Sequence, residues 1–495
     1  MEQSDARACS PAWGETYADS RGWAPRCESV PRSLLLRLTG MRASLLIILV
    51  YILVIRIGGQ YASKLGIQVG PVPILLTDPV TIFLTDFTLL ALLMASLPQS
   101  GGRMLWWSTS GQSAGAIGFA AWLLLVVSVV YFIAAFHYYG VSALRDFAIF
   151  SYSVFFPLTY FAIGGRPDAE KLLRCFAYSG ALVAALILFQ AATGIQITSG
   201  LGQRYVFGES VSRFASGDEA AVMATSFGVL LGYAVLQQRY RKLHIFLVAI
   251  CLVAIALSTV RSGMVGAALA VALTFATGRA RHRLAIVGIA AALVAVAVLG
   301  ATIPPFELPG FLRSFYLSLG SAAGGAADPT GGFRIIRWKY ALKLWYSDPF
   351  FGVGYGVQLL PYSLDPQQFQ AGRFNGGMPH NTFLFVLVRM GLPGIVLVCF
   401  CWISGLWSAA RTAAQNRLAD NLAAANALAA MVGYGALNLF FERPAHNVPF
   451  WIMLAVAVRL VETLLRAPVL APSRIGISQP RVVMAGAQAA NTPVA

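Results

Sequence analysis

The chain has 495 residues, of which 58% are hydrophobic and 11% are charged, and its mean hydropathy is +0.69. A soluble domain carries about 25% charged residues, so this composition excludes an ordinary soluble protein. Apolar runs of about 20 residues recur and predict a polytopic helical membrane protein, whereas the alternating segments of a membrane β-barrel are absent. The net charge of +16 does not require a nucleic-acid partner, because basic cytoplasmic loops account for it.

We predict an all-α fold with about twelve membrane-spanning helices. Residues 1–42 are polar and arginine-rich and lack the apolar core of a signal peptide, so we predict a disordered cytoplasmic extension. A disordered cytoplasmic tail is predicted over 466–495, and the six cysteines are expected to form no disulfide. The predicted spans cover 43–57, 80–97, 117–136, 143–163, 172–192, 220–236, 244–260, 264–277, 284–302, 394–410, 422–441 and 448–465.

Basic residues are distributed unevenly between the segments that join these spans. With the N-terminus inside, most arginines and lysines fall in inner segments, for example Arg103, Arg166, Arg239 and Arg411. This distribution fits the positive-inside rule. It predicts that both termini are cytoplasmic and that a large loop, 303–393, lies outside between spans nine and ten.

The outer loop is predicted to contain a helix over 333–347. Ile335, Trp338, Leu342 and Tyr346 form its apolar stripe, and Arg334, Arg337 and Lys343 lie off that stripe. Such a helix is expected to lie in the membrane interface and to stop at Asp348-Pro349.

The glycines of FFGVGYG follow this helix. No strand precedes them and no crossover unit follows, which excludes a nucleotide-binding loop. We expect Gly352, Gly354 and Gly356 to form a tight turn against a ligand or another helix.

Several arginines lie on the outer side, where the positive-inside rule predicts few. A guanidinium group presents a fixed fork of donors that suits phosphate oxygens, so the group indicates an anionic substrate at the outer face. The alternative for each is contact with lipid headgroups. These residues are Arg261 in STVRSG after span seven, Arg204 and Arg213 between spans five and six, and Arg334 and Arg337 in the outer helix.

His380 in Met378-Pro379-His380-Asn381 is the histidine with the strongest indication of chemistry. A short helix is predicted to begin directly after it and to end near Gly391. The positive end of the helix dipole favours neutral imidazole, which accepts a proton at neutral pH. The alternative is a capping histidine. His137 and His446 are also on the outer side but have no such cluster around them.

Other motifs of known chemistry are missing from the sequence. It has no Walker loop, HExxH, or metal-type Cys/His spacing, and its outer loops lack a DxD pair. The sequence therefore predicts no metal and no cofactor. Glu442 and Arg443 are expected to form an internal ion pair.

The string FRIIRWKYALKLWYSDPFFGVGYG followed by PHNTFLFVLVRMGLPG resembles the signature region of the O-antigen ligase and polymerase family. STVRSG resembles the Ser/Thr-x-Arg element of that family. The resemblance covers roughly residues 43–465 and implies a membrane glycosyltransferase with a GT-C-like helical fold.

Members of that family act at the periplasmic face of the bacterial inner membrane. The resemblance implies a donor glycan on undecaprenyl diphosphate, an acceptor that is lipid A–core or a growing polysaccharide, and no metal. By position, His380 and Arg261 match the catalytic histidine and arginine, and Arg213, with Arg204 less closely, matches the basic loop. Asp218-Glu219 departs from the family pattern in that loop.

Two alternatives remain open from the sequence. The first is an O-antigen or exopolysaccharide polymerase rather than a ligase, since the outer loop suits either acceptor. The second is a transporter or flippase of lipid-linked sugar, which would need ionisable groups at mid-membrane. Asp78, Asp86 and Arg459 are the nearest such groups, and they are few.

Overall fold

The fold is taken from a computed structural model, which describes residues 32–58, 72–75, 79–82, 84–100, 112–195, 202–206, 209–213, 215–258, 260–277, 329–360, 379–438, 440–441 and 444–465. Helices dominate these ranges. They are α1 (Arg32–Leu53), α2 (Leu84–Ser100), α3 (Gln112–Tyr139), α4 (Val141–Ser151), α5 (Phe155–Ala162), α6 (Arg166–Thr193), α7 (Gly217–Leu236), α8 (Arg241–Leu257), α9 (Arg261–Thr277), α10 (Pro329–Ser347), α11 (Thr382–Asn416), α12 (Ala419–Leu437) and α13 (Pro444–Leu465).

The helical membrane-protein class is confirmed. Within the described ranges, five helices are long and apolar enough to cross a membrane, and three shorter helices are also apolar. These helices coincide with predicted spans, although α1 already begins at Arg32 and the fourth span is divided into α4, a 3₁₀ turn and α5. The count of twelve spans stays a prediction, because the ninth, 284–302, lies outside the described residues.

Two short antiparallel hairpins accompany the predicted helices. Strands β1 (Val72–Leu75) and β2 (Pro79–Ile82) form one, and strands β3 (Gly202–Val206) and β4 (Glu209–Arg213) form the other. Both lie in segments predicted as outer loops, except that β2 includes the first residues of predicted span two. An isolated hairpin of four or five residues per strand carries too weak a pattern for sequence analysis to separate it from a loop.

Helices α7, α9 and α12 pack against one another through small residues. A Cβ atom added at Gly228 would lie 2.7 Å from the Asn426 carbonyl oxygen, and one added at Gly232 would lie 2.5 Å from the Ala423 nitrogen. Small residues allow such close backbone approach, which is a common mode of helix association in membranes. This packing places the first turns of α7 and α9 side by side.

Helix α11 consists of two helical segments that meet at Gly391. Gly391 has φ 60° and ψ −152°, which breaks the helix, and its first segment begins directly after the N-cap residue Asn381. The predicted short helix after His380 and the predicted break near Gly391 are therefore confirmed. The second segment continues as predicted span ten.

The FFGVGYG turn packs against the first segment of α11. The Val353 nitrogen donates to the Val388 oxygen at 2.8 Å, and the Leu392 nitrogen donates to the Phe350 oxygen at 3.0 Å. A Cβ at Gly352 would lie 2.5 Å from that same Val388 oxygen. The prediction of a tight glycine turn is confirmed, and the neighbouring element is another helix.

A buried ion pair fixes this turn to the helices. Arg389 Nη2 lies 3.1 Å from Asp146 Oδ2, and the two side chains are 1% and 0% exposed. Arg389 Nη1 also donates to the carbonyl oxygens of Gly354 and Val357, at 3.0 and 2.7 Å. The Gly356 nitrogen donates to Asp146 Oδ2 at 2.7 Å. The pair thus joins α4, α11 and the turn in one polar contact.

Tyr355 attaches the same turn to α3. Its hydroxyl lies 2.8 Å from Ser128 Oγ, and its ring stacks on Phe150 with centroids 5.5 Å apart. Burial holds the pKa of the Tyr355 phenol well above its usual range. The phenol therefore stays protonated and acts as a neutral anchor.

Candidate functional site

His380 lies in a short, tightly held link between the outer loop and α11. Pro379 precedes it, and the Pro379 carbonyl oxygen accepts a hydrogen bond from Trp338 Nε1 at 2.7 Å. Asn381 follows it and caps α11, with its Oδ1 accepting from the Leu384 nitrogen at 3.0 Å. The imidazole is partly exposed. The link is thus fixed on both sides of His380.

The backbone of His380 is left-handed, with φ 54°. Such a conformation costs a non-glycine residue on the order of 1–3 kcal/mol and is concentrated at functional sites. It persists here because Trp338 and the Asn381 cap hold the neighbouring residues. The geometry suits an imidazole that must be held in one place.

Arg261 is the first residue of α9, and its side chain is partly exposed. Its neighbour Ser262 accepts a hydrogen bond from Asn438 Nδ2 at 3.2 Å. The carbonyl oxygen of Asn438 accepts from Thr382 Oγ1 at 3.4 Å. One asparagine therefore joins the residue after Arg261 to the second residue after His380.

The same asparagine reaches a third helix through Tyr434. Asn438 Nδ2 donates to the Tyr434 hydroxyl at 2.7 Å, and that hydroxyl donates to the Gly217 carbonyl oxygen at 2.8 Å. We call the connected residues, Gly217, Ser262, Thr382, Tyr434 and Asn438, the Asn438 network. It gathers the N-termini of α7, α9 and α11. The positive dipole ends of these helices favour an anion at this place.

The hydrogen bond between Trp338 and Pro379 places helix α10, which carries Arg334 and Arg337, next to the link that contains His380. Arg337, predicted to lie off the apolar stripe, is only 3% exposed, whereas Tyr346, which lies on that stripe, is 69% exposed. The position of the stripe in the membrane interface stays a prediction. The buried face passes through Arg337 and Ala341, because contact with α11 and the His380 link sets the rotation of the helix.

Residues 246–399 match the O-antigen ligase family model. This match includes the signature strings, so the resemblance of this segment to the O-antigen ligase and polymerase family is confirmed. No curated protein matches the chain. The family indicates a membrane glycosyltransferase-like enzyme. The matched O-antigen ligase segment contains Arg261, Arg334, Arg337 and His380.

Arg204 and Arg213 lie before the O-antigen ligase segment, in the β3–β4 hairpin. Arg204 pairs with Val211 and Arg213 pairs with Gly202 in the register of the two strands. Their side chains are outside the part of the chain that the structure describes. Their contribution to an anion site therefore stays a prediction, as does the expected Glu442–Arg443 pair, which is also outside the described residues.

A contact between His446 and Asp218, near the Asn438 network, could not be predicted from the sequence. His446 Nε2 lies 2.9 Å from Asp218 Oδ1, and the histidine side chain is 3% exposed. One signal was visible in the sequence, namely the acidic residue Asp218 at a position where a basic, anion-binding loop was expected. The contact itself forms only in the folded protein, where the start of α7 lies against α13.

A buried arginine was also missed. Arg56 is 1% exposed and donates to Ser179 Oγ at 2.9 Å, to the Val222 oxygen at 2.8 Å and to Ser226 Oγ at 2.7 Å. These neutral acceptors on α6 and α7 make it a connector between helices.

The transporter alternative named three ionisable residues as mid-membrane candidates. Asp86 accepts a hydrogen bond from Tyr152, Arg459 lies near Glu462, and Asp78 is outside the described residues.

Proposed function

We propose that the protein is a membrane glycosyltransferase that moves a glycan from undecaprenyl diphosphate to an acceptor hydroxyl at the periplasmic face. The acceptor we favour is lipid A–core, which makes the protein an O-antigen ligase. One observation carries the proposal: the Asn438 network links the elements that hold Arg261 and His380, and both residues lie in the matched segment.

The diphosphate would be bound by guanidinium groups and helix N-termini. Arg261 is the first candidate, with Arg334 or Arg337 from α10 and Arg213 and Arg204 from the hairpin. Arginine binds phosphate oxygens through paired hydrogen bonds, and helix N-termini add favourable dipoles. These groups would stabilise the charge that develops on the leaving diphosphate, which is usually a large share of catalysis.

The reaction is a single displacement. The acceptor hydroxyl oxygen forms a bond to the anomeric carbon, while the bond from that carbon to the diphosphate oxygen breaks. The electron pair of the broken bond leaves with undecaprenyl diphosphate, and the hydroxyl proton passes to His380. The configuration at the anomeric carbon is inverted. A positioned base of this kind contributes roughly 10²–10⁴ in rate.

Two substitutions test the assignment in cells that use this protein. His380→Ala and Arg261→Ala should leave membrane insertion normal, abolish glycan transfer and cause lipid-linked donor to accumulate. We expect losses of about 10²–10⁴ for the histidine and about 10²–10³ for the arginine. Lipid-linked glycan and acceptor-linked glycan are both measured.

Matched controls are His137→Ala, which replaces an exposed histidine at the end of α3, and Arg239→Ala, which replaces an exposed arginine before α8. Both should transfer glycan at the normal rate. Full transfer by His380→Ala or Arg261→Ala would remove the role assigned to that residue.

The acceptor distinguishes a ligase from a polymerase of the same family. Deleting a ligase leaves polymerised glycan on the carrier lipid, with none on lipid A–core. Deleting a polymerase leaves single unpolymerised units on the acceptor. We expect the first result, and the second would reassign the protein to the polymerases.

A further inference from the structure

Asp218 and Glu219 lie in the first turn of α7, in the region proposed to receive a diphosphate. Carboxylates beside a diphosphate repel it, so a role in phosphate binding does not explain them. The two residues therefore need another role, and the role assigned to them here rests on the proposed function.

Glu219 serves the fold. Its nitrogen donates to Ser216 Oγ at 3.2 Å, and its Oε2 accepts from the Ser216 nitrogen at 2.5 Å. The residue is 0% exposed. This reciprocal pair is a capping box, which stabilises the start of a helix. The role of Glu219 is therefore to stabilise the N-terminus of α7.

Asp218 is held differently. Its Oδ1 lies 2.9 Å from His446 Nε2, and its side chain keeps 27% of its surface exposed while the histidine keeps 3%. The imidazole packs against Phe440, with ring centroids 5.7 Å apart, and against Tyr434, at 5.6 Å. The buried His446, held between the rings of Phe440 and Tyr434, thus holds the partly exposed carboxylate of Asp218 in place.

Asp218 and Arg261 lie in the first turns of two helices that contact each other, α7 and α9. A Cβ added at Gly263 would lie 3.1 Å from the Ala220 Cβ, so the first turns of α9 and α7 touch. Arg261 and Asp218 each precede this contact by two residues. Tyr434 also connects the histidine to the Asn438 network, because its ring packs on His446 while its hydroxyl bonds to Gly217.

We propose that Asp218 binds the donor sugar and that His446 is the residue that positions it. Carboxylate oxygens accept hydrogen bonds from sugar hydroxyls, although they repel phosphate. The first sugar is bonded directly to the diphosphate. Because the first turns of α7 and α9 touch, a carboxylate in the first turn of α7 is placed to reach that sugar when Arg261 holds the diphosphate. Asp218 and His446 both lie outside the matched segment 246–399.

The test compares two lipids on the purified full-length protein in detergent. One is the polyprenyl-diphosphate-linked glycan extracted from the native host, and the other is polyprenyl diphosphate without sugar. Asp218→Asn should weaken binding of the glycan-bearing lipid by about tenfold or more and change binding of the sugar-free lipid by less than about twofold. Arg261→Ala should weaken both.

His446→Leu should reproduce the sugar-dependent loss, and His446→Gln should restore part of it, because glutamine still offers a donor. The double variant Asp218→Asn/His446→Leu should bind no more weakly than Asp218→Asn alone, since the histidine acts through the aspartate. Asp168→Asn is the matched control, because Asp168 also lies in a first helical turn, is 26% exposed and is paired, with Lys171. It should bind both lipids normally.

Equal weakening of both lipids by Asp218→Asn, or no weakening of either, overturns the inference while the proposed function stands. Failure of the wild-type protein to bind either lipid overturns both. Should Asp218→Asn fail to fold, Asp218→Glu replaces it. That variant keeps the charge but displaces the carboxylate, so the same loss confined to the glycan-bearing lipid is expected.

Discussion

The Asp146–Arg389 pair shows how single residues determine the shape of the outer loop. Both side chains are almost completely buried, and the arginine also donates to the carbonyl oxygens of Gly354, in the FFGVGYG turn, and of Val357, directly after it. Removing one member of such a pair leaves a buried charge without its counter-ion, which is more costly than losing an exposed pair.

We predict that Asp146→Ala lowers the free energy of unfolding by about 3–5 kcal/mol. Asp168→Ala, which breaks the exposed pair of Asp168 with Lys171, should cost about 0–1 kcal/mol. Thermal unfolding of the two variants in the same detergent compares them. Equal effects would show that the buried pair does not hold the turn.

The partners in this pair could not be predicted from the sequence. Asp146 was placed at the start of the fourth span, and Arg389 lay in a predicted helix with no assigned role. Their contact depends on how α4 meets α11 in space, which no local pattern encodes. The same holds for Asp218 with His446 and for Arg56 with its acceptors. His380 and Arg261 could be proposed from the sequence because a motif marked them.

Among the elements, α11 best illustrates what local sequence does predict. Its N-cap, its break and its continuation all follow from Asn381, Gly391 and the long apolar run. The break is also a contact, since a Cβ at Gly391 would lie 2.0 Å from the Phe350 oxygen. Glycine is thus required at position 391 both by the positive φ angle and by the close approach of the Phe350 carbonyl oxygen.

Gly391→Ala should therefore destabilise the protein by at least about 1–3 kcal/mol, the cost of the backbone conformation alone. Gly115→Ala in α3 is the control, because an added Cβ meets nothing within 4 Å there. Its stability should be unchanged or slightly higher, since alanine favours a helix. Thermal unfolding measures both, and a neutral Gly391→Ala would contradict the close packing of the turn on α11.

Helix α10 shows which features local sequence does not predict. Its stop before Asp348-Pro349 follows from proline chemistry, although the helix begins at Pro329 and not at the predicted Phe333. The burial of Arg337 does not follow from periodicity, because contact with α11 decides which part of the helix surface is covered. The hairpins were missed for a related reason, since strands of this length are specified mainly by their surroundings.

The proposed reaction requires that the whole chain is inserted with α10 on the outer side of the membrane. The positive-inside rule predicts that α10 lies outside and that the end of α11 lies inside. A single-cysteine experiment tests this: Tyr346→Cys, at an exposed site on α10, should react with a membrane-impermeant maleimide added to intact spheroplasts. Arg411→Cys, exposed near the end of α11, should react only after the membrane is opened.

The wild-type chain provides the background from its own cysteines in both conditions. Labelling of Arg411→Cys before the membrane is opened, together with protection of Tyr346→Cys, would invert the predicted topology. It would also move His380 to the cytoplasmic side. The proposed periplasmic reaction would then lose its basis.

The most direct measurement is glycan transfer by the purified protein in lipid vesicles that contain undecaprenyl-diphosphate-linked glycan and lipid A–core. The wild-type protein should join glycan to the acceptor with inversion and release undecaprenyl diphosphate, and His380→Ala should reduce this by about 10²–10⁴. A protein that carries the glycan lipid across the bilayer without transferring sugar, or a His380→Ala variant with full transfer, would contradict the account.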